Sequence, residues 1–302
     1  MRFIVVEKQI NLCYNHKKYK NRKVTEMRYS FLRFPNFKDK AVTLSYDDGV
    51  IYDEKLIEIM TNNGLKGTFN INSGILSKEN TSRMTKEKAI SVYKDSGNEV
   101  AVHGRQHLSL TEVDEALATK DVLLDRIELE KMFGTIITGM AYANGSYNDN
   151  VVEILKKCGI EYSRTTISTE NFNIPDDWLR LPATCHHNNP RLMELAHTFI
   201  EAEPSKYYWS NTPKLFYVWG HSYEFNNNNN WNIIEEFAEY IGNREDVWYA
   251  TNGEICRYVK AFKSLKFSIT EDMVYNPSSI DVYLSYHQKP YIAKSGQITK
   301  LV

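Results

Sequence analysis

From about residue 41 the chain alternates short apolar runs with amphipathic stretches. AVTLSY (41–46) predicts a buried strand. DEKLIEIMTNNG (53–64) predicts a helix, with Leu56, Ile57, Ile59 and Met60 turned inward and Gly64 as its stop. GTFNIN (67–72) predicts the next strand, then comes a helix around 85–96 ended by Gly97, then the strand EVAVH (99–103). A longer helix is expected over about 112–132, an extended stretch over IITGMAY (136–142), a helix over 149–157 and another extended stretch over IEYSRT (160–165). LFYVWG (215–220) and VWYAT (247–251) read as strands, WNIIEEFAEYIG (231–242) and 252–263 as helices, and Asn226–Asn230 as a loop between regular elements.

Strands alternating with helices of this length imply βαβ units and a parallel sheet. With seven or so units, the expected fold is α/β: a (β/α) barrel, distorted or incomplete with seven strands, in preference to an open doubly wound sheet. From Leu265 the helical period gives way to alternation, as in DVYLSYHQKPYIAKS (281–295), which predicts a small C-terminal antiparallel β extension turning at Gln288–Pro290. The expected organisation is therefore an irregular, basic N-terminal extension (1–40), a barrel (41–264) and a small β tail (265–302).

Composition narrows the partners. Of 302 residues, 42% are hydrophobic and 25% charged, as in an ordinary globular chain. The formal net charge of -1 argues against a nucleic-acid or membrane-surface role. Aromatics reach 13%, with 20 Tyr, which fits either a cleft with flat faces for sugars or a Tyr-rich core. The cysteines, Cys13, Cys158, Cys185 and Cys256, form no C-x-x-C pair and read as reduced thiols. The apolar run Phe3–Val6 is shorter than the roughly 7–15 residues of a secretory signal or the roughly 20 of a membrane span, so a cytoplasmic protein is expected. Nothing in the sequence fixes its oligomeric state.

The polar residues gather at strand ends. Asp47 and Asp48 follow the first strand, His103 ends the third, Asn144 and Gly145 follow the fourth, Arg164 ends the fifth, and His221 follows LFYVWG. In a parallel barrel these ends open on one face, where active sites lie. An isolated D-D-G is a common turn, yet two adjacent carboxylates can divide labour, one on a metal and one as base. His103 and His107 in HGRQH meet on one face if the segment turns helically, and with Asp48 they supply three ligands that leave positions open for water and substrate. His221, unligated, could protonate a leaving nitrogen or oxygen.

In this order the residues resemble the polysaccharide deacetylase family, also called carbohydrate esterase family four or the nodulation-protein-B homology domain. Ser45-Tyr46-Asp47-Asp48-Gly49 matches its Thr-Phe-Asp-Asp-Gly motif, His103-Gly104-Arg105-Gln106-His107 its His-Ser/Thr-x-x-His motif, and Leu215 through His221 its fifth, a strand ended by histidine. The likeness covers roughly 41–262. It implies one divalent metal on Asp48, His103 and His107, most often zinc, with cobalt, nickel or iron as alternatives. It implies further that Asp47 is the base, that the backbone N–H of Asn144 helps hold the oxyanion, and that His221 is the acid. Trp178, Trp219 and Tyr142 are candidates for the apolar walls of the substrate site, or equally for core.

Two departures stand out. The third motif, Arg-x-Pro-Tyr/Phe-Gly, aligns with Ala141-Tyr142-Ala143-Asn144-Gly145, so its arginine and proline are missing. Arg164 or Arg180 is the expected replacement. The fourth, Asp-x-x-Asp-Trp, survives in part as Asp176-Asp177-Trp178, and CHHNN (185–189) adds His186 and His187. The expected function is metal-dependent removal of N- or O-acetyl groups from a carbohydrate. The alternatives are a hydrolase of small amides or imides with the same metal site, and a non-catalytic carbohydrate-binding module.

Overall fold

The computed structural model describes residues 30–76, 82–205 and 211–301. The chain enters through β1 (Ser30–Arg33) and builds a parallel sheet around β2 (Lys40–Asp47). On one side β2 pairs in register with β3 (Gly67–Ile71), which is followed outward by β4 (Glu99–Val102), β5 (Gly139–Ala141) and β6 (Tyr162–Ser168), all parallel. On the other side lies β9 (Lys214–Gly220), with Lys40 opposite Lys214 and Tyr46 opposite Gly220. The two edges are joined by one extended run. Its first part, β7 (Leu181–Ala183), pairs with β6, and its second, β8 (Cys185–His186), pairs with β9. Counting that run once, seven parallel strands close the ring, as the repeated βα pattern predicts. A further strand, β10 (Val247–Tyr249), fills the place beside Lys40–Val42 that β3 leaves open, because β3 joins β2 only from Leu44 onward.

Helices α1 (Asp53–Asn62), α2 (Lys86–Tyr93), α3 (Glu115–Phe133), α4 (Asp149–Lys157), α5 (Leu192–Glu201), α6 (Ser222–Asn227), α7 (Asn232–Ile241) and α8 (Asn252–Lys263) connect the strands. Local chemistry sets several of their starts. Thr85, Asp114 and Asn148 each accept a backbone N–H of the first turn, and Thr251 forms a capping box with Glu254. Helix α3 stops at Gly134 in the left-handed conformation, φ 67°.

Alternation along the strands sorts two layers. Val42, Leu44, Tyr46, Phe69, Ile71, Val102, Phe216 and Val218 are buried beneath the helices with Leu56, Met60, Val122 and Phe237. The intervening residues Thr43, Ser45, Asp47, Thr68, Asn70 and His103 are also buried, so polar groups fill the barrel. Each then requires a partner. At the end where the strands begin, Asn252 bonds the Tyr217 hydroxyl at 2.6 Å, and Glu99 accepts from Thr68 Oγ1 at 2.9 Å and Gly253 N at 2.8 Å. The N-terminus of α8 thus plugs this end, leaving the other for the chemistry.

After the barrel come two small antiparallel sheets. One joins β11 (Lys266–Phe267), β12 (Met273–Tyr275) and β15 (Ile298–Lys300). The other joins β13 (Val282–Tyr286) and β14 (Lys289–Ala293) to β1, so the described end of the N-terminal extension is built into the C-terminal one. Their hairpin turns at His287 and Gln288, both at positive φ (50° and 63°), a residue ahead of the expected place. Cys13 and most of the N-terminal extension lie outside the described residues.

Candidate active site

Asp47 ends β2 with its side chain inside the barrel. Asn70 Nδ2, from the neighbouring β3, donates to Oδ1 at 2.8 Å, and the Arg164 guanidinium forms an ion pair with Oδ2. Arg164 is the third residue of β6, which runs on to Ser168, and not its last as expected; it therefore points into the ring and is fully buried. Its guanidinium also lies over Trp219, 4.2 Å from the ring centroid. Burial alone would raise the Asp47 pKa. Arg164 chiefly, helped by His103, His221 and Asn70, outweighs it and holds the carboxyl at about 2.

The chain then reverses through two consecutive left-handed residues, Asp48 (φ 89°) and Gly49 (φ 65°). For a non-glycine this costs on the order of 1 kcal/mol. The turn brings the Asp48 carboxylate next to the two histidines. Asp48 Oδ1 lies 3.8 Å from His103 Nε2 and 3.6 Å from His107 Nε2. The segment 103–107 is not helical, contrary to expectation: left-handed Gly104 (φ 80°) and His107 (φ 55°) fold it into a turn that sets the two rings edge to face, 4.9 Å apart.

This turn is held from two sides. Asn72 Nδ2 donates to the carbonyls of His103 (2.8 Å) and Gly104 (2.7 Å). From α3, Asp125 accepts the backbone N–H groups of Ser73 (2.7 Å) and His103 (3.1 Å), and Asp121 accepts that of Gln106 (2.9 Å).

Three observations test whether a cation fits. His103 Nδ1–H donates to the Ala141 carbonyl at 2.9 Å, which turns the lone pair of Nε2 toward Asp48. Burial lowers the His103 pKa, keeping the ring neutral as ligation requires. Asp48 Oδ1 is buried without a hydrogen bond: Arg83 Nη1 stands 3.1 Å away, but its two hydrogens go to the Asp48 carbonyl and to Asn72 Oδ1 (3.3 Å). An unmet carboxylate oxygen facing two imidazole nitrogens is a donor set for a borderline divalent metal, and the residues fit it.

His221 follows β9 and opens α6. Its Nε2 lies 3.8 Å from Asp47 Oδ2 and its Nδ1 2.7 Å from Glu224 Oε1, one helical turn on. Burial works to lower the His221 pKa, but the Glu224 hydrogen bond and the charges of Asp47 and Asp48 prevail and raise it. Glu224 also receives His187 Nε2 (3.1 Å), His186 Nε2 (3.6 Å) and the Asn188 amide. Burial would raise its pKa, and these histidine contacts instead drive it far below the usual carboxylate range.

Other candidates fall elsewhere. Asn144 lies at the mouth with its side chain on Ser109 Oγ (3.0 Å), and Trp219 belongs to the site through Arg164 and His186. Tyr142 is core: its ring is buried and its hydroxyl bonds the Leu179 carbonyl at 2.7 Å. Trp178 precedes its strand, so it packs at the opposite end of the barrel, beside Gly159 and Ile160. Arg180 is partly exposed on Asp149 and Asp177 and not on Asp47, which leaves Arg164 as the replacement arginine on geometric grounds. Cys158, Cys185 and Cys256 are free and buried. Asn70, Asn72, Arg83, Asp121, Asp125 and Glu224 escaped the sequence reading. The polar alternation of Asn70 and Asn72 within GTFNIN and the H-x-x-E spacing of His221 and Glu224 were the available signals.

The family model described as polysaccharide deacetylase matches residues 34–163, which carry Asp47, Asp48, His103 and His107. Over that region the chain is similar to the polysaccharide deacetylase family. The match supports a hydrolase acting on acetyl groups. A protein from Mycobacterium smegmatis ascribed to the polysaccharide deacetylases shares 17% identity, over 77% of this chain and 94% of that one, at a TM-score of 0.56. A family 4 carbohydrate esterase from Streptomyces lividans, in complex with acetate, shares 13% over 68% and 86% at 0.45. A Bacillus anthracis protein described as a CE4 family pseudoenzyme shares 15% over 75% and 68% at 0.46. The first supports the fold alone, and the lower scores of the other two carry no argument. No curated protein matches the chain. Among the described residues, no helix is long and apolar enough to cross a membrane.

Proposed function

We propose that the chain is a metal-dependent deacetylase that removes N- or O-acetyl groups from a carbohydrate. The observation that carries this reading is the buried, unbonded Asp48 Oδ1 facing His103 Nε2 and His107 Nε2. A divalent cation such as zinc, bound by these three residues, would polarise the acetyl carbonyl and acidify the attacking water. Asp47, ionised throughout the working range, accepts the proton of that water. Its pairing with Arg164 makes it a weak base, so the proton is held only briefly. His221 delivers a proton from Nε2 to the departing nitrogen or oxygen, with Glu224 fixing Nδ1–H and hence the tautomer. The 3.8 Å between Asp47 Oδ2 and His221 Nε2 lets the first proton return to the acid after turnover. The backbone N–H of Asn144 is the chain's own donor for the developing oxyanion, and Trp219 forms an apolar wall.

The test is metal content together with turnover on a panel of N-acetyl sugars, O-acetyl polysaccharides, small amides and cyclic imides. Uptake of one tightly bound divalent metal, lost with activity in Asp48→Ala, is expected. No metal uptake and an unaffected Asp48→Ala would overturn the reading. Activity confined to amides or imides would keep the site and replace the substrate.

A further inference from the structure

His186, His187 and Glu224 form a second group of metal-ligating side chains, separate from the Asp48 set. Glu224 lies 3.1 Å from His187 Nε2 and 3.6 Å from His186 Nε2, against 3.6 and 3.8 Å for the two contacts of Asp48. Ligand atoms about 2.1 Å from a tetrahedral zinc stand about 3.4 Å from one another, so this group is already near coordinating distance. Two imidazoles and one carboxylate suit a borderline metal and leave a position open. Solvent reaches the group, since the His186 and Glu224 side chains are 24% and 20% exposed.

We propose that His186, His187 and Glu224 are a second, weaker site for a divalent cation of the zinc class, whose occupation inhibits the enzyme by neutralising the carboxylate that orients His221. The inhibition rests on the deacetylase reading; the cation site does not.

The order of affinities follows from the hydrogen atoms. In the Asp48 set, His103 already donates Nδ1–H to Ala141 and presents a free Nε2. In the second set, His186 Nδ1 accepts the backbone N–H of Asn188 at 3.1 Å, which puts the ring hydrogen on Nε2, aimed at Glu224. His187 likewise aims Nε2 at Glu224, and its Nδ1 is buried without a partner. A cation must therefore shift both rings to the other tautomer, sacrificing the Asn188 bond and leaving a buried donor unmet. Losses of that kind weaken binding by roughly ten- to a hundredfold. No other electron or proton balance is involved, because each neutral ring keeps its one hydrogen.

Inhibition follows because Glu224 is shared. Its Oε1 lies 2.7 Å from His221 Nδ1, so a cation drawing on its charge weakens the hold on the acid. Substrate need not be displaced, so the effect should fall on kcat more than on KM.

Titration of the full metal-stripped chain with zinc chloride, followed by calorimetry, should show two steps, the second at least tenfold weaker. Asp48→Ala should keep only the weaker step. His186→Asn should keep only the tighter one, and its turnover at high zinc should match its own turnover at low zinc, losing the inhibition that sets in as zinc fills the second step of the wild type. His187→Gln serves as a second variant for the same loss. A wild type with a single step, or a second step undiminished in both variants, overturns the site. Two steps with unchanged kcat at high zinc overturn the inhibition alone. If no activity is found on any substrate, the titration still decides the site.

Discussion

Arg164 is the residue whose removal tests the most. Its guanidinium is the largest influence opposing burial at Asp47, and together with weaker partners it takes the carboxyl from 3.8 to about 2. At about 1.4 kcal/mol per pKa unit, that is a net preference of roughly 2–3 kcal/mol for the ionised form, with burial already subtracted. Because the folded pKa is depressed, this contribution is present above about pH 4 and lost as pH falls toward 2. Arg164→Met keeps much of the side-chain volume over Trp219 but strands a buried carboxylate, which costs about 3–5 kcal/mol. Urea unfolding at pH 7 should show that loss, and kcat should drop by about a hundredfold or more as Asp47 loses its charge or its aim. Asp47→Asn combined with Arg164→Met should be destabilised less than Arg164→Met alone, because no stranded charge remains. The cycle should therefore be non-additive by at least about 1 kcal/mol. Arg180→Ala, on exposed pairs that do not touch Asp47, should move stability by no more than about 1 kcal/mol and leave turnover alone. Near-normal turnover in Arg164→Met, an additive cycle, or loss of activity in Arg180→Ala would refute the assignment.

Glu224→Gln removes the partner that raises the His221 pKa, so the alkaline limb of kcat/KM should move to lower pH; an unmoved limb separates Glu224 from the acid. Asp125→Ala frees the backbone of His103 and Ser73 and should weaken zinc binding by roughly 10–100-fold in calorimetry, and unchanged affinity would show that the turn needs no support from α3. Asp53 is buried on the Tyr93 hydroxyl (2.5 Å) and the Ser222 hydroxyl, and burial raises its pKa to about 7. The folded state then binds an extra proton between about pH 4 and 7, so stability should fall as pH rises through that window. Asp53→Asn should flatten this slope in urea midpoints measured from pH 5 to 8, with a difference of at most about 3 kcal/mol over that range; parallel slopes would locate the dependence elsewhere.

The sequence by itself determined the alternation of strands and helices, and with it a face on which Asp47, Asp48, His103 and His221 must meet. Periodicity reports burial one element at a time, and the strand-end rule does the rest. It also singled out Asp48, His103 and His107 as candidate ligands, because spacing and residue type are local. What it left open depended on closure of the ring. Residues 181–186 contain Pro182 and are too short to show a period, yet they alone join β6 to β9. That closure put Arg164, 117 positions away in sequence, onto Asp47, while Arg180 pairs instead with Asp149 and Asp177. The helical turn expected for His103–His107 failed for a related reason: two left-handed residues, held by α3 and Asn72, bring the rings together without a helix. Glu224 escaped notice because H-x-x-E is common on surfaces, and only the packed structure shows three histidines converging on it. Residue type and order are written locally; which charge faces which is decided by contacts between segments far apart in the chain.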